Sequence, residues 1–180
     1  MKGVYRTRVG YTGGSLENPN YHNLGDHTEA FQVDYDPAQI SYEEILDIFW
    51  ASHTPTGRVW SRQYMAAVYF HNEEQEKAAL ASRAAVEEKL GAEVTTAVSA
   101  LDKFYMAENY HQKYYLQARS ELAEELRAYY PDFGDFVNST AVARVNGYIG
   151  GYGDSESLNE ELDAYGLSPR GREILKGFVN

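Results

Sequence analysis

Two short stretches of alternating apolar and polar residues, Val4–Val9 and Ala30–Tyr35, bracket one long loop. That segment, Tyr11–Glu29, reads Y-T-G-G-S-L-E-N-P-N-Y-H-N-L-G-D-H-T-E. Alternation marks strands. Gly-Gly and Asn-Pro pairs make turns. A connection this long in a compact domain is uncommon unless it has a task. In the second stretch Phe31, Val33 and Tyr35 share one face and Gln32 and Asp34 the other. The two strands are therefore expected to be antiparallel neighbours. Glu29 stands where the loop ends and the second strand begins. A lone Glu there is commonly just solvated, yet the position is rigid enough to hold a carboxyl group for proton transfer.

The remaining elements follow from cap chemistry and spacing. Ser41-Tyr42-Glu43-Glu44 is a capping box and predicts a helix over Tyr42–Ser52, with Ile45, Ile48, Phe49 and Ser52 on one face. Met65–Phe70 predicts a buried strand. Asn72-Glu73-Glu74-Gln75 opens a helix that should reach Leu90 and stop at Gly91. Val94–Ser99 predicts a strand, and Ala107–Leu116 a short helix continuing or kinking into Gln117–Tyr130. Beyond Pro131, Asn138 or Ser139 can cap one helix, Asp154 or Ser155 a second that ends at Gly166, and Ser168-Pro169 a third. The fold class is α+β: a mixed, partly antiparallel sheet with packed helices and a helical, loop-rich C-terminal tail. The expected division is residues 1–130, then a helical extension over 131–180.

Composition narrows the function. With 43% hydrophobic residues and 16 tyrosines the chain is a folding one. A net charge of −11 and a pI near 4.9 disfavour nucleic acid and anionic membranes as partners. No apolar run approaches a spanning helix and no signal pattern opens the chain, so a cytoplasmic location is the default expectation. There is no cysteine, hence no disulfide framework, thiolate metal site or cysteine nucleophile. His22, His53, His71 and His111 lack ligand-like spacing, and no metal is expected.

Several stretches together resemble peptide methionine sulfoxide reductase A. They are G-V-Y-R-T-R-V-G-Y-T-G-G from Gly3, N-P-N-Y from Asn18, G-D-H-T-E-A from Gly25, Y-D-P-A-Q-I-S-Y-E-E-I-L-D-I-F-W-A-S-H from Tyr35, S-R-Q-Y-M from Ser61 and F-Y-M-A-E-N-Y-H-Q-K-Y-Y from Phe104. The resemblance covers about residues 3–117, and N-G-Y-I-G-G-Y-G from Asn146 resembles the longer tails of some members. It implies an α+β fold and reduction of methionine S-sulfoxide, free or in proteins, as a repair of oxidative damage. It also implies a thioredoxin-type reductant and no bound cofactor. By motif the acid that protonates the sulfoxide oxygen falls on Glu29, and the two tyrosines that hydrogen-bond it on Tyr21 and Tyr64. Gly13, Gly14, Asp26 and His27 fall in the substrate-binding loop, where His27 beside Asp26 is placed to steady it. The chemistry needs such groups: a sulfoxide oxygen leaves poorly unless protonated, and phenols stabilise the charge it gathers.

The chain departs from that family in one respect that governs its chemistry. The family's G-C-F-W-G element, with the attacking cysteine and the Phe-Trp methyl pocket, has no counterpart here; the tryptophans, Trp50 and Trp60, follow no cysteine. The resolving cysteines and the usual Asp near the second tyrosine are also unmatched. Serine and tyrosine hydroxyls do not replace a thiolate that must pass through an oxidised state and be reset. The chain by itself is therefore expected to be inactive. Intact Tyr21, Glu29 and Tyr64 favour a fragment whose start lies upstream over a shortened isoform or a cysteine-free relative. The competing function is a non-catalytic module that binds methionine sulfoxide or another protein.

Overall fold

Both alternating stretches are strands in the computed structural model, which describes residues 1–179. Strand β1 runs Val4–Thr12 and β2 Thr28–Tyr35, each longer than the alternation alone marks. They are hydrogen-bonded neighbours in a three-stranded sheet of order β2-β1-β5. Strand β5, Phe104–Met106, was not expected; three residues are too few for a period to show. It pairs antiparallel to β1, with Gly10, Tyr11 and Thr12 opposite Met106, Tyr105 and Phe104. A second sheet joins β3 (Ala67–Phe70) and β4 (Ala97–Ala100) in parallel, Val68 opposite Val98. The architecture is thus α+β with mixed pairing.

Helix α1, Tyr42–Ala51, begins as its capping box dictates: Glu44 N–H donates to Ser41 Oγ at 3.1 Å, and Ser41 N–H to Glu44 Oε2 at 2.8 Å. Its buried face differs from the expected one. Leu46 and Trp50 are buried, whereas Ile48 is 45% exposed. The helix is apolar around much of its circumference, so spacing alone does not choose a face. Packing against α2 (Glu73–Leu90) does, and Trp50 Nε1 donates to Ser82 Oγ on that helix at 3.0 Å. Helix α2 is capped by Asn72, whose side chain accepts from Gln75 N–H at 2.9 Å, and ends at Gly91 in the left-handed conformation. Leu46, Trp50, Val68, Ala79 and Val94 form one core.

The stretch from Ala107 to Tyr130, expected as a short helix continuing or kinking into a second, is divided into shorter pieces. A 3-10 turn spans Asn109–His111, α3 spans Tyr114–Gln117 and α4 spans Ser120–Tyr129. Lys113 causes one break, with φ at 49° in the left-handed region that interrupts helical hydrogen bonding. Its ammonium donates to the Thr7 carbonyl at 2.6 Å and to Thr7 Oγ1 at 3.0 Å. Burial, and then the charge of Arg8, lower its pKa to about 8 from the ordinary 10.5. Between those values the unfolded chain keeps a proton that the folded chain has shed, so this group makes stability rise with pH across that window. Denaturant midpoints at its two ends should show a steeper rise for the natural chain than for Lys113→Met.

The C-terminal helices start at side chains able to cap them. Asp132 caps α5 (Phe133–Asn138), Ser139 caps α6 (Thr140–Ile149), Asp154 caps α7 (Ser155–Glu161) and Ser168-Pro169 opens α8 (Pro169–Lys176). The pattern through Leu162 finishes as a 3-10 turn, Leu162–Tyr165, before Gly166. Leu116, Leu122, Leu126, Phe136, Val142, Leu158 and Leu175 form a second, fully buried core. By contacts the chain divides into two units. One holds residues 1–8, 32–35 and 108 onward, and the other 9–31 and 36–107.

Candidate functional site

The site lies within the unit of residues 9–31 and 36–107 and is built from the loop 13–27, the start of β2 and the segment 57–66. At the loop tip, Asn20 and Asn23 exchange backbone hydrogen bonds of 3.1 and 2.9 Å. The Asn20 side-chain oxygen also accepts from the N–H groups of His22 and Asn23, both at 3.0 Å. This Asx turn holds the exposed ring of Tyr21 at its corner.

His27 is the loop's internal brace. Its ring is buried, and Nδ1 accepts the Gly14 N–H at 3.2 Å. Nε2 must then carry the hydrogen, which it donates to the Leu16 carbonyl at 2.8 Å. Asp26 Oδ1 accepts the Ser15 N–H at 2.7 Å, and that bond holds the carboxyl below the usual aspartate range. Gly13 and Gly14 leave room for these contacts. Gly13 has a φ of 78°, and a Cβ on Gly14 would stand 2.6 Å from the His27 backbone nitrogen. Lys103 Nζ and Tyr105 Oη both bond the Glu17 carboxylate, at 2.6 and 2.8 Å, and tie down the outer arm.

Removing the brace should be costly. His27→Ala takes the ring from the half-buried Gly14 N–H and Leu16 carbonyl, a loss of about 2 kcal/mol. Denaturant unfolding measures this loss, and amide exchange at Gly14 should quicken.

Arg62 joins the two segments. Its Nε donates to the Asp26 carbonyl at 3.0 Å and its Nη2 to the Gly13 carbonyl at 2.8 Å. Thr28 Oγ1 donates back to the Arg62 carbonyl at 3.0 Å, and Glu29 N–H to the Gln63 carbonyl at 2.9 Å. The start of β2 is thereby fastened to the residues just before Tyr64.

The side chains of Glu29, Gln63, Tyr64 and Tyr21 form a string across this junction. Gln63 Nε2 donates to Glu29 Oε1 at 2.7 Å and to Tyr64 Oη at 3.0 Å. Tyr64 in turn is hydrogen-bonded to Tyr21; that bond, then desolvation, then the charges of Tyr21 and Glu29 push the Tyr64 phenol above its ordinary value. Glu29, Tyr21 and Tyr64 are all exposed, so an acid and two phenols open to solvent side by side. Gly13, Gly14, Asp26 and His27 sit within the loop's own bonding rather than in the string. In the sequence Gln63 and Arg62 stand out only as letters of S-R-Q-Y-M. Their adjacency to Tyr64 was the available signal.

The arrangement can donate hydrogen bonds from phenols, and a proton from a carboxyl group, to one polar oxygen. No group of three or more His, Cys, Asp or Glu side chains able to hold a metal gathers among the described residues. No described helix is long and apolar enough to cross a membrane.

Known proteins are similar to this chain in sequence and in fold. The family model for "Peptide methionine sulfoxide reductase" matches residues 1–131, and that for "Selenoprotein methionine sulfoxide reductase A, helical domain" matches residues 135–180. A peptide methionine sulfoxide reductase of Drosophila melanogaster is 40% identical over 178 residues, covering 96% of this chain and 70% of that protein. MsrA of Methanosarcina acetivorans is 42% identical over 127 residues, covering 64% of this chain and 67% of its own. The chain spans 48% of a lettuce relative. Methionine sulfoxide reductase A of Corynebacterium diphtheriae superposes with a TM-score of 0.57 at 33% identity, covering 65% of each chain. On these matches the chain belongs to the peptide methionine sulfoxide reductase family.

Proposed function

We propose that this chain supplies the oxygen-activating half of a methionine S-sulfoxide reductase site. Glu29 gives the proton that lets the sulfoxide oxygen leave, and Tyr21 and Tyr64 hydrogen-bond that oxygen as it gathers charge. The observation that carries this reading is the string Glu29–Gln63–Tyr64–Tyr21, which sets three oxygen-directed groups at one exposed place.

The attack on sulfur needs a chalcogen nucleophile, and these 180 residues hold no cysteine. That group comes from a residue outside them. A thiolate or selenolate attacks the sulfoxide sulfur, the oxygen takes the proton from Glu29, and as the S–O bond breaks that oxygen ends as the hydroxyl of a sulfenic or selenenic acid on the nucleophile, while the substrate leaves as methionine. Selenium is included because the model matched by residues 135–180 is described as that of a selenoprotein. A thioredoxin-type reductant then resets the nucleophile, in a cytoplasmic setting. On the same reading residues 1–130 are the reductase-like part and 131–180 its helical extension, a division that the two family models support.

The test is to read the gene upstream of the Met1 codon, restore any segment bearing a Cys or selenocysteine, and assay both forms on an S-sulfoxide substrate with dithiothreitol. Activity in the extended form alone supports the proposal. An extended form that carries a nucleophile in G-C-F-W-G context yet shows no reduction sinks it.

A further inference from the structure

We infer that Gln63 is a positioning residue: its amide decides which oxygen of Glu29 carries the acid proton and which way the Tyr64 hydroxyl turns. The inference rests on the proposed role of Glu29 and Tyr64 at a sulfoxide oxygen.

An amide nitrogen offers two hydrogens and accepts none. Gln63 Nε2 directs one at Glu29 Oε1, 2.7 Å away, and the other at Tyr64 Oη, 3.0 Å away. An oxygen already receiving an N–H is poorly placed to bear a proton on that side. In the protonated acid the hydrogen therefore belongs on Oε2, the oxygen left for substrate. The same logic applies to the phenol. Tyr64 Oη accepts from Gln63, so its own hydrogen turns away, toward Tyr21 or an entering oxygen. One side chain thus orients two proton donors.

Gln63 is held for this task. It is half-buried, and its carbonyl accepts the Glu29 N–H at 2.9 Å. Its neighbour Arg62 bonds the carbonyls of Asp26 and Gly13. Turning the amide over would set its oxygen against the Glu29 carboxylate, which is repulsive whenever that group is ionised.

Calorimetric titration of the full chain tests the inference, using a peptide with one methionine S-sulfoxide and the same peptide with methionine. The natural chain should prefer the sulfoxide. Gln63→Leu, close in volume but without donors, should bind the sulfoxide about tenfold more weakly and the methionine peptide unchanged. Gln63→Glu, which keeps the shape, should also lose sulfoxide affinity, increasingly so as pH rises and its new carboxyl has no hydrogen to give. If both variants bind sulfoxide normally, or if both peptides weaken alike, Gln63 has no orienting role and the wider reading of the site stands. A natural chain that fails to distinguish the peptides overturns that reading and this inference together.

Discussion

In a form of the protein that carries the nucleophile, Glu29→Ala should lower kcat/KM for an S-sulfoxide substrate by roughly a hundredfold to ten-thousandfold. The size follows from what the group does. Without a proton the departing oxygen would leave as a strongly basic anion, and water at the open site is a poor and badly oriented substitute. Binding should suffer less, because the phenols of Tyr21 and Tyr64 still donate; the loss should appear mainly in kcat. Alanine removes the exposed bond from Gln63 Nε2 to Glu29 Oε1 but retains the backbone link to Gln63. The melting temperature should therefore hardly move. Steady-state kinetics within a few-fold of the natural protein would remove Glu29 from the chemistry.

The second large effect is on the loop itself. Gly14→Ala should destabilise the fold by roughly 3 kcal/mol and lower Tm by roughly 6–12 °C for a chain of this size. The added Cβ would stand 2.6 Å from the His27 backbone nitrogen and 2.7 Å from its ring. Neither is a mobile side-chain end, so the Gly14–His27 bond must break and the loop with it. Gly91→Ala is the control. Gly91 has a φ of 61°, but a Cβ there meets nothing within 4 Å. It should lose only the local cost of a left-handed alanine, about 1 kcal/mol. Equal melting losses at the two glycines would mean that crowding at the loop does not matter.

What could be read from the sequence was local chemistry. Ser41, Asn72, Ser139, Asp154 and Ser168 all cap helices in the structure, because a cap needs only its own neighbours. Features set by distant partners were hidden. The buried face of α1 depends on where α2 lies, and the break at Lys113 on Thr7, far back in β1. The site divides the same way. Glu29, Tyr21 and Tyr64 carry recognisable chemistry and lie in recognisable motifs. Gln63 has no reactivity of its own, and its importance appears only when Glu29, 34 residues away, is seen at 2.7 Å.

The backbone bond from Glu29 N–H to the Gln63 carbonyl, with Thr28 bonded to Arg62 beside it, makes the acid and its neighbouring phenol parts of one mechanical piece. Thermal sway of the exposed rim then carries both together, and the gap between their oxygens stays constant while the rim moves. Tyr21 meets that piece from a separate turn, through its hydrogen bond to Tyr64. Its hydrogen bond to Tyr64 must open before its ring can swing aside, so admission and release of a bulky oxidised side chain should be timed by the breaking of that bond.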